Sequence, residues 1–280
     1  MRVGLAQIDS KLGDLDANLK RAGEAIAEAR AGGADLVVLP ELCLSGYAIG
    51  SSDREVALRA DDPALSELAG AAGDGAVTIC FPEVSQGGRV YNSAAYFEAG
   101  ALVHVHRKLY LPTYAGFEER KHFSVGNAMR AFDTSAGRMA LLVCNDAWQP
   151  ALAFVAAQDG AEWMIMPTDS AHSDPYELDV REYWRDITTL YARLFECYVV
   201  FVNRVGEECG LRFWGGSRVV DPLGEIVAEA PEDEAAVVVS GDLDPGAARR
   251  RRRRLPLTRE ARLVLLRREL SRLIEEGGDL

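Results

Sequence analysis

Leu141-Leu-Val-Cys-Asn-Asp-Ala-Trp-Gln-Pro150 joins an aliphatic run to a cysteine and places a proline six residues beyond it. Extended back to Met139, the run reads as a strand over residues 139–143 that is apolar on both faces. Proline suits the first position of a helix, because its φ is already helical and its missing N–H is not needed there, so a helix is expected over residues 150–158. Cys144 then stands at a strand-to-helix turn. Its sulfur would meet a pocket mouth and backbone N–H groups that favour thiolate. Taken alone, such a cysteine is more often a packing thiol, so the rest of the chain has to decide.

The same alternation continues in both directions. Strands are expected over residues 2–8, 36–39, 77–81, 91–97, 102–106, 164–166, 199–202, 218–220 and 236–241, and helices over 16–30, 63–72 and 177–195. Several strands lack a polar face, which argues for sheets covered on both sides: a layered α/β protein. Nothing within residues 1–245 marks a linker, so these form one domain. Residues 246–280 are a distinct tail. It opens with six arginines, Arg249 through Arg254, and then spaces Leu263, Leu266, Leu270 and Leu273 along one helical face that would lie on the body or on a second subunit.

Composition narrows the function classes. A formal charge of −12 on 280 residues favours solubility and argues against broad nucleic-acid binding. The arginine run sits more naturally against acidic surface or in solvent than on phosphate, although a phosphate-binding or assembly role is the competing reading from another class. Five scattered cysteines without a CxxC pair suggest free thiols in a reducing compartment, the cytoplasm, rather than disulfides or zinc. The apolar run after Met1 is too short for a signal peptide, and no apolar stretch is long enough to span a membrane. Neither GxxxxGK[ST] nor a strand-linked GxGxxG is present, so no nucleotide cofactor is indicated.

Two further segments resemble the first in construction. In Leu39-Pro-Glu-Leu-Cys-Leu-Ser-Gly-Tyr47 a buried strand ends in proline and delivers Glu41 where the chain leaves the sheet, which is where open α/β sheets carry functional groups. Cys43 is a rival thiol better suited to packing. In Arg107-Lys-Leu-Tyr-Leu-Pro-Thr-Tyr-Ala-Gly-Phe-Glu-Glu-Arg-Lys-His-Phe123, Lys108 follows a strand and precedes a loop with the aromatic walls and polar tips of a pocket. Each segment alone has a plain structural explanation: an ion-paired glutamate, a solvated lysine, a core thiol.

In this order and context the three segments closely resemble the nitrilase superfamily of carbon–nitrogen hydrolases. Asn203-Arg-Val-Gly-Glu207 and Gly215-Gly-Ser-Arg-Val-Val-Asp-Pro-Leu-Gly224 extend the resemblance to about Asp244. The motif style is nearest to amidases and to the glutaminase domains of NAD synthetases; with no synthetase segment following, a free-standing amidase is expected. The resemblance implies a four-layer αββα sandwich, assembled as a homodimer or a larger homo-oligomer, and catalysis on a small linear amide without metal or organic cofactor. Nitrile hydrolysis is the alternative chemistry.

By the same resemblance Cys144 is the nucleophile and Glu41 its base. A carboxylate taken out of water is a stronger base, as that role requires. Lys108 and the backbone N–H of Asn145 would hold the oxyanion, and Glu119, with Glu118 its adjacent rival, would orient Lys108 or water. Tyr47, Tyr114, Phe117 and Trp148 are candidate pocket walls; Asp169 and Ser170, after the next strand, are candidate substrate contacts. Many family members carry an acidic or aromatic residue directly after the nucleophile and an arginine beyond it, whereas Asn145, Ala147 and Trp148 stand here. A histidine base is not required. Of the four histidines, His104 and His106 share a strand face but have no clear third metal ligand, and His122 and His172 have the better claim to the pocket rim.

Overall fold

The computed structural model describes residues 1–50, 55–113, 118–172 and 179–277. Strands β1 (Val3–Gln7), β2 (Leu36–Val38), β3 (Ala76–Val84), β4 (Val90–Glu98) and β5 (Ala101–Arg107) form one six-stranded sheet with β14 (Ala236–Val239), in the order β14-β1-β2-β3-β4-β5. The second six-stranded sheet runs β13-β12-β9-β8-β7-β6, from β6 (Ala131–Thr134), β7 (Gly137–Leu141), β8 (Trp163–Thr168), β9 (Tyr198–Asn203), β12 (Arg218–Val220) and β13 (Ile226–Glu229). Helices α1 (Leu15–Ala31) and α2 (Pro63–Gly70) cover the first sheet; α4 (Pro150–Gln158) and α5 (Val180–Phe195) cover the second. A four-residue helix, α3 (Glu119–His122), precedes β6. The result is the αββα sandwich.

The strand sequences explain the layering. Along β7 and the residues after it, Met139, Leu141 and Val143 pack toward the first sheet while Ala140 and Leu142 pack toward α4 and α5. In β8, Trp163 and Ile165 alternate with Met164 and Met166, and in β9, Val200 and Val202 alternate with Val199 and Phe201. A strand covered on both sides buries both sets, at about 1.5–3 kcal/mol for each large aliphatic side chain removed from water. Caps set the helix starts: Asp14 accepts from Ala17 N at 3.1 Å before α1, and Asp62 from Ala64 N at 2.9 Å before Pro63 opens α2.

Four strands were not legible by apolar pattern. β6 and β13 are short edges, and the hairpin of β10 (Val205–Glu208) and β11 (Leu211–Trp214) is half polar. A turn signal does mark the hairpin: Cys209 and Gly210 both have positive φ, 49° and 82°, as the two-residue turn that matches strand twist requires.

The arginine run is also a helix, α6 (Ala247–Arg254). Arg249 donates to Glu162 at 2.9 Å, Arg250 pairs with Asp244, and Arg252 donates to the carbonyls of Phe195 at 2.9 Å and Ala161 at 2.5 Å. Arg252 thereby caps the C-terminus of α5, where unpaired carbonyls attract a cation. The leucine stripe on α7 (Leu263–Glu275) does not lie on the body: Leu263, Leu266, Leu270 and Leu273 are 52%, 40%, 59% and 45% exposed. No helix among the described residues is long and apolar enough to cross a membrane.

His104 stacks on Phe132 at 4.4 Å, and burial, with His106 adding to it, lowers its pKa to about 4. The unfolded chain takes up that proton first, so this histidine favours folding above about pH 6.5 and the benefit is lost as pH falls toward 4. Allowing for its partial exposure, the loss is on the order of 1–2 kcal/mol. Urea melts of wild type and His104→Phe at pH 7 and pH 4.5 should show the variant losing less; equal losses would remove His104 as the cause. Arg252→Ala should lower stability by about 1–3 kcal/mol while Arg254→Ala, at an exposed position, changes it by less than about 0.5, measured in the same melts.

Candidate active site

β5 is antiparallel to β4, which is antiparallel to β3, so β5 runs the same way as β2 and β3. Glu41 leaves the C-terminal end of β2 and Lys108 that of β5. In the second sheet Cys144 follows β7, Asp169 follows β8 and Arg204 follows β9, these three strands being mutually parallel. Four charged side chains and a thiol thus arise at equivalent strand ends of two facing sheets.

Lys108 Nζ donates to Glu41 Oε1 at 2.6 Å and to Glu119 Oε1 at 2.7 Å. All three are buried: Glu41 and Lys108 are 0% exposed and Glu119 2%. Glu41 accepts two further bonds, from Asn92 Nδ2 at 2.7 Å and from the backbone N–H of Asp169 at 2.9 Å. Tyr47 donates its hydroxyl to Glu119 Oε1 at 2.7 Å. Of the two adjacent acids, Glu118 is exposed and pairs with Lys121, so Glu119 is the one at Lys108.

Cys144 opens a three-residue 3₁₀ turn with φ +45°, a left-handed conformation unusual for a residue with a Cβ. Such a residue costs of order 1–3 kcal/mol and persists only where its surroundings hold it. The sequence led us to expect backbone N–H groups to favour thiolate. Burial instead pushes the thiol up, and Glu41 and Glu119 nearby add to the effect, while Lys108 and the N–H of Asp169 oppose it. Burial and the two carboxylates thus favour the protonated thiol. Burial works against the Lys108 ammonium, but Glu119 and Glu41 outweigh it and hold its pKa well above the usual lysine range. Glu119 is raised by burial, with Lys108 opposing and Glu41 reinforcing.

Not every candidate contact joins this cluster. Ser170 Oγ accepts from the indole N–H groups of Trp184 at 3.0 Å and Trp214 at 3.2 Å, so its hydroxyl anchors two core tryptophans. Asp169 contributes its backbone N–H; its carboxyl is fully buried, 4.0 Å from Arg204, and raised by burial against the pull of that arginine. Trp148 lies parallel to Tyr183, centroids 5.7 Å apart, and edge-on to Trp184 at 5.8 Å, in a stack on α5. Asn145 is buried and donates its side-chain amide to Tyr110 O at 3.2 Å. Tyr114 and Phe117 lie outside the described residues.

Other residues at the site were missed. Asn92 sits mid-strand in β4, and the one available signal was an asparagine where strands disfavour it. Glu208 accepts from the backbone N–H groups of Tyr47 at 2.9 Å and Ala48 at 2.6 Å, which sets the turn that presents Tyr47. Gly46, with φ +76°, is required there, because a Cβ would stand 2.5 Å from Glu208 Oε2. His106 is committed to Asp146, and among the described residues no three His, Cys, Asp or Glu side chains stand as a metal-ligating group.

Residues 2–253 match the carbon–nitrogen hydrolase family. The chain is 37% identical to an (R)-stereoselective amidase of Pseudomonas sp., over 90% of its own length and 88% of that protein. It is 31% identical to the glutamine-dependent NAD(+) synthetase of Thermotoga maritima over 87% of its own length, but spans 42% of that longer protein. Among solved structures, an amidase from Nesterenkonia sp. AN1 superposes with a TM-score of 0.81 at 26% identity, covering 96% of each chain; a glutamate-to-glutamine mutant of it is described with the acetamide moiety of fluoroacetamide added covalently at the active-site cysteine. Strand-end glutamate, lysine and cysteine in two facing sheets, with a match over nearly the whole length, place the chain in the carbon–nitrogen hydrolase family, within the nitrilase superfamily.

Proposed function

We propose that the protein is a cysteine amidase that cleaves the C–N bond of a small linear amide through a thioester. The observation that supports this most strongly is the buried Lys108 ammonium, bonded at once to Glu41 and Glu119 beside the Cys144 thiol. Glu41 takes the thiol proton as Cys144 Sγ attacks the carbonyl carbon, and the oxyanion forms toward Lys108 and the backbone N–H of Asn145. The tetrahedral intermediate collapses with loss of ammonia or an amine, protonated by Glu41, and leaves the thioester. Glu41 then removes a proton from water, whose oxygen attacks the thioester carbon; collapse releases the acid and returns the proton to sulfur. Glu119 holds Lys108 in place throughout.

No step requires a metal or an organic cofactor. Glutamine-like and N-carbamoyl amines are the amides we favour, and the free thiols fit a reducing, cytoplasmic setting. A homodimer or larger homo-oligomer would cover the exposed Tyr183, Leu190 and Leu194 on α5 together with the leucine stripe of α7.

Ammonia release from a panel of short amides, ureido acids and nitriles tests the proposal. Wild type should act on at least one amide. Cys144→Ala should lose at least a thousandfold and Lys108→Met at least a hundredfold. Iodoacetamide should label Cys144 in competition with the exposed Cys209, read by peptide mapping. Undiminished turnover in Cys144→Ala would refute the scheme, and turnover of nitriles alone would reassign the substrate class.

A further inference from the structure

We infer that Asp146 is a positioning residue that fixes Cys144 and Lys108 in one frame, with His106 as its support; the inference rests on the amidase reading above. Asp146 is fully buried, and its carboxylate accepts four hydrogen bonds. Oδ1 takes the backbone N–H groups of Leu109 and Tyr110, both at 2.9 Å. Oδ2 takes the N–H of Val143 at 3.2 Å and lies 2.8 Å from His106 Nε2, which faces a carboxylate oxygen and so carries the proton.

An aspartate that did no more than cap the 3₁₀ turn would need only the Val143 bond. The other three bonds of Asp146 reach across to the end of the opposite sheet, to the residues on both sides of Lys108. That sheet end is already tied down elsewhere: Lys108 N donates to Asn92 O at 2.8 Å, and the side chain of Asn92 holds Glu41. The connection therefore runs from the base, through Asn92 and Lys108, to Asp146 and the nucleophile turn. Asp146 also bonds the N–H immediately before Cys144, the residue with φ +45°, and so acts where the strained turn has to be held. A carboxylate meets the demand because both its oxygens are acceptors; an asparagine amide would turn an NH₂ toward donors at one of them. Displacement of a reacting group by about 1 Å can cost on the order of a hundredfold in rate, so a frame of this kind acts through kcat more than through affinity.

Full-length Asp146→Asn, His106→Ala and His106→Gln test this, with kcat and KM measured on an amide that wild type hydrolyses, iodoacetamide labelling of Cys144 relative to Cys209, and thermal melts. Asp146→Asn should lower kcat roughly a hundredfold with KM within about threefold. His106→Ala should lower kcat about tenfold, and His106→Gln, which returns an amide N–H to Asp146, should restore it to within about threefold of wild type. If Asp146→Asn does not fold, the two His106 variants decide the matter. Folded His106→Ala with the kcat of wild type, or Gln no better than Ala, overturns the inference. If wild type cleaves no amide, the amidase reading fails by itself. The labelling then decides the inference: it holds if Cys144 labelling falls at least about threefold relative to Cys209 in His106→Ala, and it fails if the ratio is unchanged.

Discussion

An ammonium with no access to water, held between two carboxylates, is the constraint on which the rest of this site depends. Desolvating Lys108 alone would cost several kcal/mol, and Glu41 and Glu119 offset that only at short range. Glu41 has both oxygens bonded, whereas Glu119 takes both of its donors on Oε1 and leaves Oε2 buried without one among the described residues. The neighbouring residues follow from this requirement. Asn92 and the N–H of Asp169 serve Glu41, the hydroxyl of Tyr47 serves Glu119, and Glu208 fixes the turn that brings Tyr47 there. The same charges act on the sulfur: Glu41 and Glu119 oppose ionisation of Cys144 and Lys108 favours it.

Strands covered on both sides made this arrangement possible and made it readable. β7, β8 and β9 are apolar on both faces, so a layered α/β protein was evident from their residues, while the four-layer order came from the family resemblance. Cys144, Asp169 and Arg204 follow such strands, whereas Lys108 follows the half-exposed edge strand β5. Glu41, Lys108 and Cys144 were legible because motif order converted three weak local signals into one. Whether Glu118 or Glu119 joins Lys108 was not, since neighbouring residues at a helix start point about 100° apart and only the position at which α3 begins settles which one faces inward.

Supporting residues were harder to read because their contacts are non-local. Asn92 meets Glu41 across 51 positions and Asp146 meets His106 across 40, and neither separation leaves a periodic trace. The partners of Ser170 and Trp148 were equally unreadable: Trp184 and Trp214 bond the Ser170 hydroxyl, and Trp148 stacks against Tyr183 and Trp184. The arginine run was read as lying against acidic surface or in solvent, and side chains from α6 do meet Glu162 and Asp244; the contact with the carbonyl end of α5 was not foreseen, because nothing local marks it.

Rapid-quench intact mass spectrometry with a slowly hydrolysed amide addresses the central claim most directly, because only covalent catalysis at the buried cluster leaves the acyl group on the protein. The account predicts a transient adduct of the acyl mass that maps to Cys144 and disappears as the acid is released. Steady production of acid with no adduct, or an adduct that maps to Cys209, would contradict it.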